Sequence, residues 1–162
     1  MRSSFSAAAF VLFAAGLAIG QEPEKFVAKE GKYSVGFPGK PMVESKKAGG
    51  IDLNIAIVQK GMGGFAVIHS DLPAEKVKAA KPKDLLDGGQ KGLIDNFKAK
   101  ISSSKDFEFG KQKYPARELV GAKDATNLRF QIILADNRLY QMFVVGPKDM
   151  VTGQEADAFF KS

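Results

Sequence analysis

Three neighbouring residues have the side-chain types of a hydrolytic triad. His69, Ser70 and Asp71 follow one another directly, and a serine activated by a histidine that a carboxylate orients is a common basis of hydrolysis. The segment alternates like a strand, so successive side chains point to opposite faces and cannot hydrogen-bond in series. His69 shares its face with Phe65 and Val67. We therefore predict no catalytic residue and expect a partly buried sheet histidine, which stays a candidate polar site.

The chain has few side chains that could bind a metal or a cofactor. The chain has no cysteine and one histidine, which excludes thiol chemistry and gives a poor set of zinc ligands. No loop has the carboxylate spacing of a calcium site. A glycosidase-type carboxylate pair such as Glu118 and Asp124 cannot be placed close together from the sequence, and we interpret both as exposed charges. The glycines of residues 61–64 precede a strand pattern, which indicates a hairpin turn rather than a phosphate loop. We expect no metal and no cofactor.

Four closely spaced lysines form the densest positive segment, in what the sequence predicts to be a loop: Lys76, Lys78, Lys81 and Lys83. One interpretation is a solvated surface that keeps the protein soluble; the other is a contact for an anionic envelope polymer or for lipid headgroups. Beyond residue 20 the chain has only three arginines among its cations. Lysine lacks the bidentate fork of arginine, and together with export this argues against nucleic acid as a partner.

The first twenty residues have the pattern of an export signal. Arg2 gives a short positive start, residues 7–19 are apolar, and small residues end at Gly20. The apolar run is shorter than the roughly 18 residues that span a bilayer, so we expect cleavage after Gly20; retention as an N-terminal anchor is the alternative. Gln21 stands where a lipoprotein would have cysteine. The prediction is an exported protein, periplasmic or secreted, with no transmembrane segment after cleavage.

The remaining chain has the size of one domain. Its formal net charge of +6 includes Arg2, so the mature protein is moderately basic. Residues 21–31 are charged and contain a proline, which predicts a mobile lead-in, and residues 32–162 are predicted to form a single domain.

Alternating apolar residues predict an antiparallel sheet of about six to eight strands. The predicted strands cover residues 33–37, 42–45, 51–57, 65–70, 107–111, 114–120, 127–134 and 138–146. The last strand is apolar on both faces, so it needs a cover on each side. Helices at residues 82–98 and 152–160 supply these covers; the second carries a capping-box pattern at Thr152 and Glu155. Glycines at 88, 89 and 92 predict close approach of the first helix to the sheet. The fold class is α+β, with helices covering both faces.

Five segments of turn and core residues carry a resemblance to known proteins: residues 37–41 (FPGKP), 70–73 (SDLP), 115–118 (PARE), 137–147 (NRLYQMFVVGP) and 159–162 (FFKS). Together they resemble a group of exported bacterial proteins of unknown function, which is distantly similar to the PsbP-like fold of photosystem II extrinsic subunits. The resemblance implies an antiparallel sheet between helices. PsbP acts by docking to a large membrane complex, and no motif of this chain matches that docking.

Two classes of function remain open. We favour a non-enzymatic exported binding or accessory module that contacts an envelope protein, an anionic polymer or a lipid surface. The alternative is a hydrolase with few motifs that uses His69 or a carboxylate in a cleft. A filled core around His69 favours the first class, and a pocket with convergent polar groups around it favours the second.

Overall fold

The computed structural model describes residues 25–162, so the predicted signal peptide, residues 1–20, lies outside them. The described residues form nine strands and four helices. The strands are β1 (Phe26–Ala28), β2 (Tyr33–Val35), β3 (Met42–Ala48), β4 (Ile51–Lys60), β5 (Gly63–Asp71), β6 (Lys100–Phe109), β7 (Tyr114–Lys123), β8 (Thr126–Ala135) and β9 (Arg138–Gly146). The helices are α1 (Ala74–Ala79), α2 (Pro82–Phe97), α3 (Lys148–Thr152) and α4 (Gln154–Lys161).

The sheet consists of two antiparallel meanders that meet at its centre. Its seven strands lie in the order β3-β4-β5-β9-β8-β7-β6, and every neighbouring pair is antiparallel. Helices α1 and α2 carry the chain from β5 to the far edge, and the second meander returns until β9 pairs with β5. The antiparallel sheet is therefore confirmed, and the doubly apolar strand is the central one.

Helices cover both faces of the sheet, as predicted. On one face, α2 packs Leu86 and Leu93 into a core with Phe130 and Ile132 of β8. On the other, Phe159 of α4 joins a second core. This second core extends under the hairpin of β1 and β2. The apolar alternation of β9 supplies both cores, because its successive side chains point to opposite faces.

Three local features differ from the sequence-based expectations. The lysine segment is not a plain loop: its first half is α1, rich in the helix formers Ala, Glu and Lys. Thr152 does not cap the last helix, because it ends α3 and its hydroxyl donates to the Lys148 carbonyl at 2.9 Å. Gly153 precedes α4 instead. The described part of the predicted lead-in contains β1, which pairs with β2.

Of the three glycines predicted to bring α2 close to the sheet, only Gly89 does so. A Cβ atom on Gly89 would lie 3.3 Å from the Cγ2 atom of Ile132. Gly88 and Gly92 face open space, with no atom within 4 Å of such a Cβ. The prediction is correct for one position and wrong for the other two.

Each arginine of the described residues joins the sheet to a different covering element. Arg117, with only 6% of its side chain exposed, bonds Asp87 of α2 at 2.5 Å. Arg129 bonds Asp157 of α4 at 2.6 Å. Arg138 donates to the Glu30 carbonyl, next to the β1–β2 hairpin, at 2.7 Å. Guanidinium groups suit such fixed multiple bonds, which leaves lysine as the main cation of the exposed surface.

Candidate functional site

A cavity of about 680 Å³ opens between the β1–β2 hairpin and the sheet, near the turn that joins β8 to β9. All three tyrosines of the chain line it: Tyr33, Tyr114 and Tyr140. We call it the tyrosine pocket. Its volume is within the range of roughly 300–1,000 Å³ that is typical of small-molecule sites.

The floor of the pocket is the face of the sheet itself. Val67 of β5, Met142 of β9 and Ile133 of β8 contribute apolar side chains there. These three strands are interior strands, so their neighbours already satisfy their backbone groups. A ligand on this floor therefore meets side chains rather than a free strand edge.

Aromatic residues stand on both sides of Ile133. On the β9 side, the rings of Tyr33 and Tyr140 meet edge-to-face with centroids 5.8 Å apart. On the β7 side are Tyr114 and its cross-strand partner Phe109, a large apolar residue that is 36% exposed. Burial of the Tyr33 ring, with Tyr140 beside it, raises the pKa of its hydroxyl to about 12. Aromatic rings therefore flank the floor on both sides.

Charged side chains, two of them joined in an ion pair, form the mouth of the pocket. The guanidinium of Arg138 bonds both carboxylate oxygens of Asp71, with Nε–Oδ1 and Nη2–Oδ2 distances of 2.5 and 2.7 Å. The hydrogen bond from Arg138 holds the pKa of Asp71 below its usual range, and the bond from Asp71 raises the pKa of Arg138. Lys32 and Asp136 complete the charged lining. Two cationic and two anionic side chains therefore meet at the mouth.

A short loop between β1 and β2 closes one side of the site. The Tyr140 hydroxyl donates to the Gly31 carbonyl at 2.7 Å, next to the bond between Arg138 and Glu30. Gly31 is required for this close approach, because a Cβ atom there would lie 2.6 Å from the Tyr33 ring and 2.9 Å from His69. Contacts this short leave room for glycine alone.

His69 lies beside the pocket and not among the side chains that line it. It is 8% exposed, and the ring of Tyr33 packs on it with centroids 5.6 Å apart. Its Nδ1 atom is buried without a hydrogen-bond partner among the described residues. Burial, and secondarily the charge of Arg138, lowers the pKa of the imidazole. Aromatic rings pack on His69, and no hydrogen bond within residues 25–162 orients its ring for proton transfer.

The triad sequence does not assemble. His69 pairs with Tyr140, which packs against the core beneath the β1–β2 hairpin. Ser70 pairs with Leu139, which belongs to the core under α2 on the opposite face. Asp71 is engaged by Arg138 instead of by the histidine. The side-chain types alone were therefore misleading.

The predicted lysine segment is separate from the tyrosine pocket, and all four of its lysines are exposed. Lys76 and Lys78 lie on α1, Lys81 precedes α2 and Lys83 is in its first turn. Lys83 also lines a shallow cavity of about 400 Å³ that contains Asp106. That carboxylate reduces the positive potential at one end of the segment.

Glu118, which we interpreted as an exposed charge, is half-buried. It accepts hydrogen bonds from Arg129 at 3.2 Å and from Gln131 at 3.1 Å. This engagement explains its burial. Across residues 25–162, no group of three or more acidic or histidine side chains could hold a metal ion. No helix in that part of the chain is long and apolar enough to cross a bilayer.

Sequence reasoning missed the residues that build the pocket. Tyr33, Tyr114 and Tyr140 come from three strands far apart in the chain, and only the pairing of the strands brings them together. One available signal was the concentration of every tyrosine at or near a strand end.

No protein-family model and no curated protein matches the chain. Among solved structures it is similar to cyanobacterial PsbP from Synechocystis sp. PCC 6803, whose solution structure superimposes with a TM-score of 0.61. The match covers 90% of this chain and 94% of that chain at 12% sequence identity. The chain therefore has a PsbP-like fold, as its turn and core segments indicated.

Proposed function

We propose that the chain is a non-enzymatic, exported binding module, periplasmic or secreted, and that its tyrosine pocket contacts a component of the envelope. The observation that carries the proposal is the pocket itself: an apolar floor, aromatic sides and a charged mouth that contains the ion pair of Arg138 and Asp71. Largely preformed pockets with a few fixed polar groups are typical binding sites.

The state of the titratable groups supports binding rather than catalysis. A general base needs a free lone pair within reach of the substrate, whereas His69 is packed beneath Tyr33. The carboxylate of Asp71 is engaged by Arg138, with its pKa held low. These contacts speak against the alternative of a hydrolase that uses His69.

The lysine segment offers a second, weaker contact. Lys76, Lys78, Lys81 and Lys83 are all exposed, and the described residues show no ion pair to any of them. Such charges favour approach to an anionic surface by long-range attraction. The pocket would then give specificity, and the lysines would add non-specific affinity.

Site-specific photo-cross-linking in the native envelope tests the proposal. A photoreactive residue at exposed Ser34, on the pocket lining, is compared with one at Met62, which is 87% exposed at the opposite end of the β5–β9 ladder. We expect a discrete cross-linked product from position 34 and none from position 62. N-terminal sequencing of the recovered chain should begin at Gln21.

Two results would contradict the proposal. Equal labelling from both positions would show that the pocket has no special role. Turnover of an esterase, glycosidase, phosphatase or peptidase substrate that His69→Ala abolishes would establish the hydrolase instead.

A further inference from the structure

We infer that the tyrosine pocket takes an uncharged saccharide unit. This inference rests on the proposed binding function and adds the chemical class of the ligand. It follows from three properties of the lining. The charges of its side chains sum to zero, and the ion pair of Arg138 and Asp71 can both donate and accept hydrogen bonds. Aromatic groups stand on both sides of an apolar floor.

The charge balance disfavours an ionic ligand. The mouth has two cationic side chains, Lys32 and Arg138, and two anionic ones, Asp71 and Asp136. Arg138 already binds Asp71 through two hydrogen bonds. A charged ligand would lose hydration and would meet as many side-chain charges of its own sign as of the opposite sign. A neutral ligand avoids that loss.

The Arg138–Asp71 pair suits hydroxyl groups. Arg138 uses three of its N–H donors, on both oxygens of Asp71 and on the Glu30 carbonyl, so donors remain on the guanidinium and lone pairs on the carboxylate. A hydroxyl donates one hydrogen bond and also accepts. Adjacent hydroxyls of a sugar ring can therefore bond both members of the pair, which is already fixed before the ligand arrives.

The aromatic sides suit the C–H face of a sugar ring. Aromatic faces carry negative charge density and attract the positive edge of C–H bonds, and Tyr140 and Tyr114 stand on either side of Ile133. An extended peptide fits less well, because the floor consists of interior strands without free backbone groups. The cavity of about 680 Å³ has room for more than one sugar unit.

Intrinsic fluorescence reports on the pocket directly. The chain has three tyrosines and no tryptophan, and all three tyrosines line the cavity. Titration of the mature protein with the neutral disaccharides maltose, cellobiose and di-N-acetylchitobiose should change the tyrosine emission in a saturable way for at least one. The matched charged probes glucosamine and glucuronate, and a blocked uncharged tripeptide with a central phenylalanine, should give no saturable change.

Three variants locate the site. Phe109→Ala removes an exposed wall and should weaken saccharide binding about 3- to 10-fold. Asp71→Asn retains the shape of the side chain but removes the negative charge that balances Arg138. It should weaken binding about 10-fold. Met62→Ala, a truncation of another exposed apolar residue that lies outside the pocket, should leave affinity unchanged, and urea titrations would show that all three variants fold.

The possible failures are distinguishable. If position 34 cross-links to an envelope component but no neutral saccharide binds, the saccharide inference is overturned while the binding function stands. Binding of the tripeptide or of a charged probe in place of the disaccharides overturns it as well. If a disaccharide binds and Phe109→Ala has no effect, the assignment to this pocket is wrong.

Discussion

The ring of Phe143, in the central strand β9, packs against helix α2, which covers this face of the sheet. Its centroid lies 5.5 Å from that of Phe97 in α2 and 5.7 Å from that of Phe130 in β8. Phe143→Ala should lower the free energy of unfolding by about 3 to 5 kcal/mol, because it removes a large buried group and leaves a cavity. Urea titration followed by circular dichroism measures this.

The matched control for Phe143 is Phe109, which is 36% exposed and is expected to cost less than about 1 kcal/mol. A similar loss for both variants would mean that the Phe143 ring is not a core group. A loss below about 1 kcal/mol for Phe143→Ala would lead to the same conclusion.

His69 should make stability depend on pH in the mildly acidic range. Burial and Arg138 lower its pKa in the folded protein, whereas the unfolded chain keeps the ordinary value of about 6.5. Above that value both states are neutral. As the pH falls below it, the unfolded chain takes up the proton first, so the free energy of unfolding decreases. Denaturation at several pH values between about 7 and 5 measures the slope.

The variant His69→Leu should remove this slope. It also replaces a buried nitrogen that has no partner, so its stability at neutral pH should remain within about 1 kcal/mol of the parent. The contribution of Asp71 does not interfere, because its stabilisation is lost only as the pH falls through the ordinary carboxyl pKa of the unfolded chain, about 3.9, toward the lower pKa of the folded protein. A slope that survives in His69→Leu would assign the pH dependence to other groups.

At the scale of elements, α2 contains an internal comparison. Gly88→Ala and Gly92→Ala place a methyl group in open space and should each stabilise the protein by up to about 1 kcal/mol, because alanine restricts the unfolded chain and favours the helix. Gly89→Ala should lose this gain, since its methyl group would press on Ile132 at 3.3 Å. Thermal denaturation of the three variants measures the difference, and equal effects at all three positions would refute the close approach.

The second prediction at this scale concerns the lysine segment, Lys76 to Lys83, across α1 and the start of α2. Binding of the mature protein to anionic vesicles should weaken as salt is raised, since exposed charges are screened over about 10 Å at 0.1 M. Charge reversal at Lys78 and Lys81 should reduce affinity by about tenfold or more. Co-sedimentation with phosphatidylglycerol vesicles measures it.

Reversal at Lys111 and Lys123, which are also exposed, is the matched control for the lysine segment. If this pair weakens binding as much as the first, net charge alone is responsible. If neither salt nor reversal matters, the segment is an ordinary solvated surface.

For the whole molecule, the fold was readable from local pattern and the pocket was not. Alternation along residues 139–145 determines which side chains face each core, and this local property predicted a central strand with a cover on both faces. The three residues of β1 are too few to show a period, and α1 is a single short helix of polar character. Both elements therefore depend on the rest of the fold rather than on their own sequence pattern.

The candidate site depends on pairing between distant segments. Asp71 and Arg138 meet because they are register partners at the end of the β5–β9 ladder, and nothing in either local sequence specifies that partner. The exclusion of a triad at His69 could be argued in advance, since it needs only the alternation of a strand. The tyrosine pocket needed the complete topology.

The strand order also determines at which point during synthesis of the chain the sheet can be completed. Strand β5 emerges early, yet β9, its second partner beside β4, is the last strand among the described residues. Until residues 138–146 are available, β5 presents an open apolar edge, of the kind that invites wrong pairing. Synthesis from the N-terminus therefore finishes this sheet at its centre rather than at its rim, and a chain interrupted before β9 lacks the strand that joins its two halves.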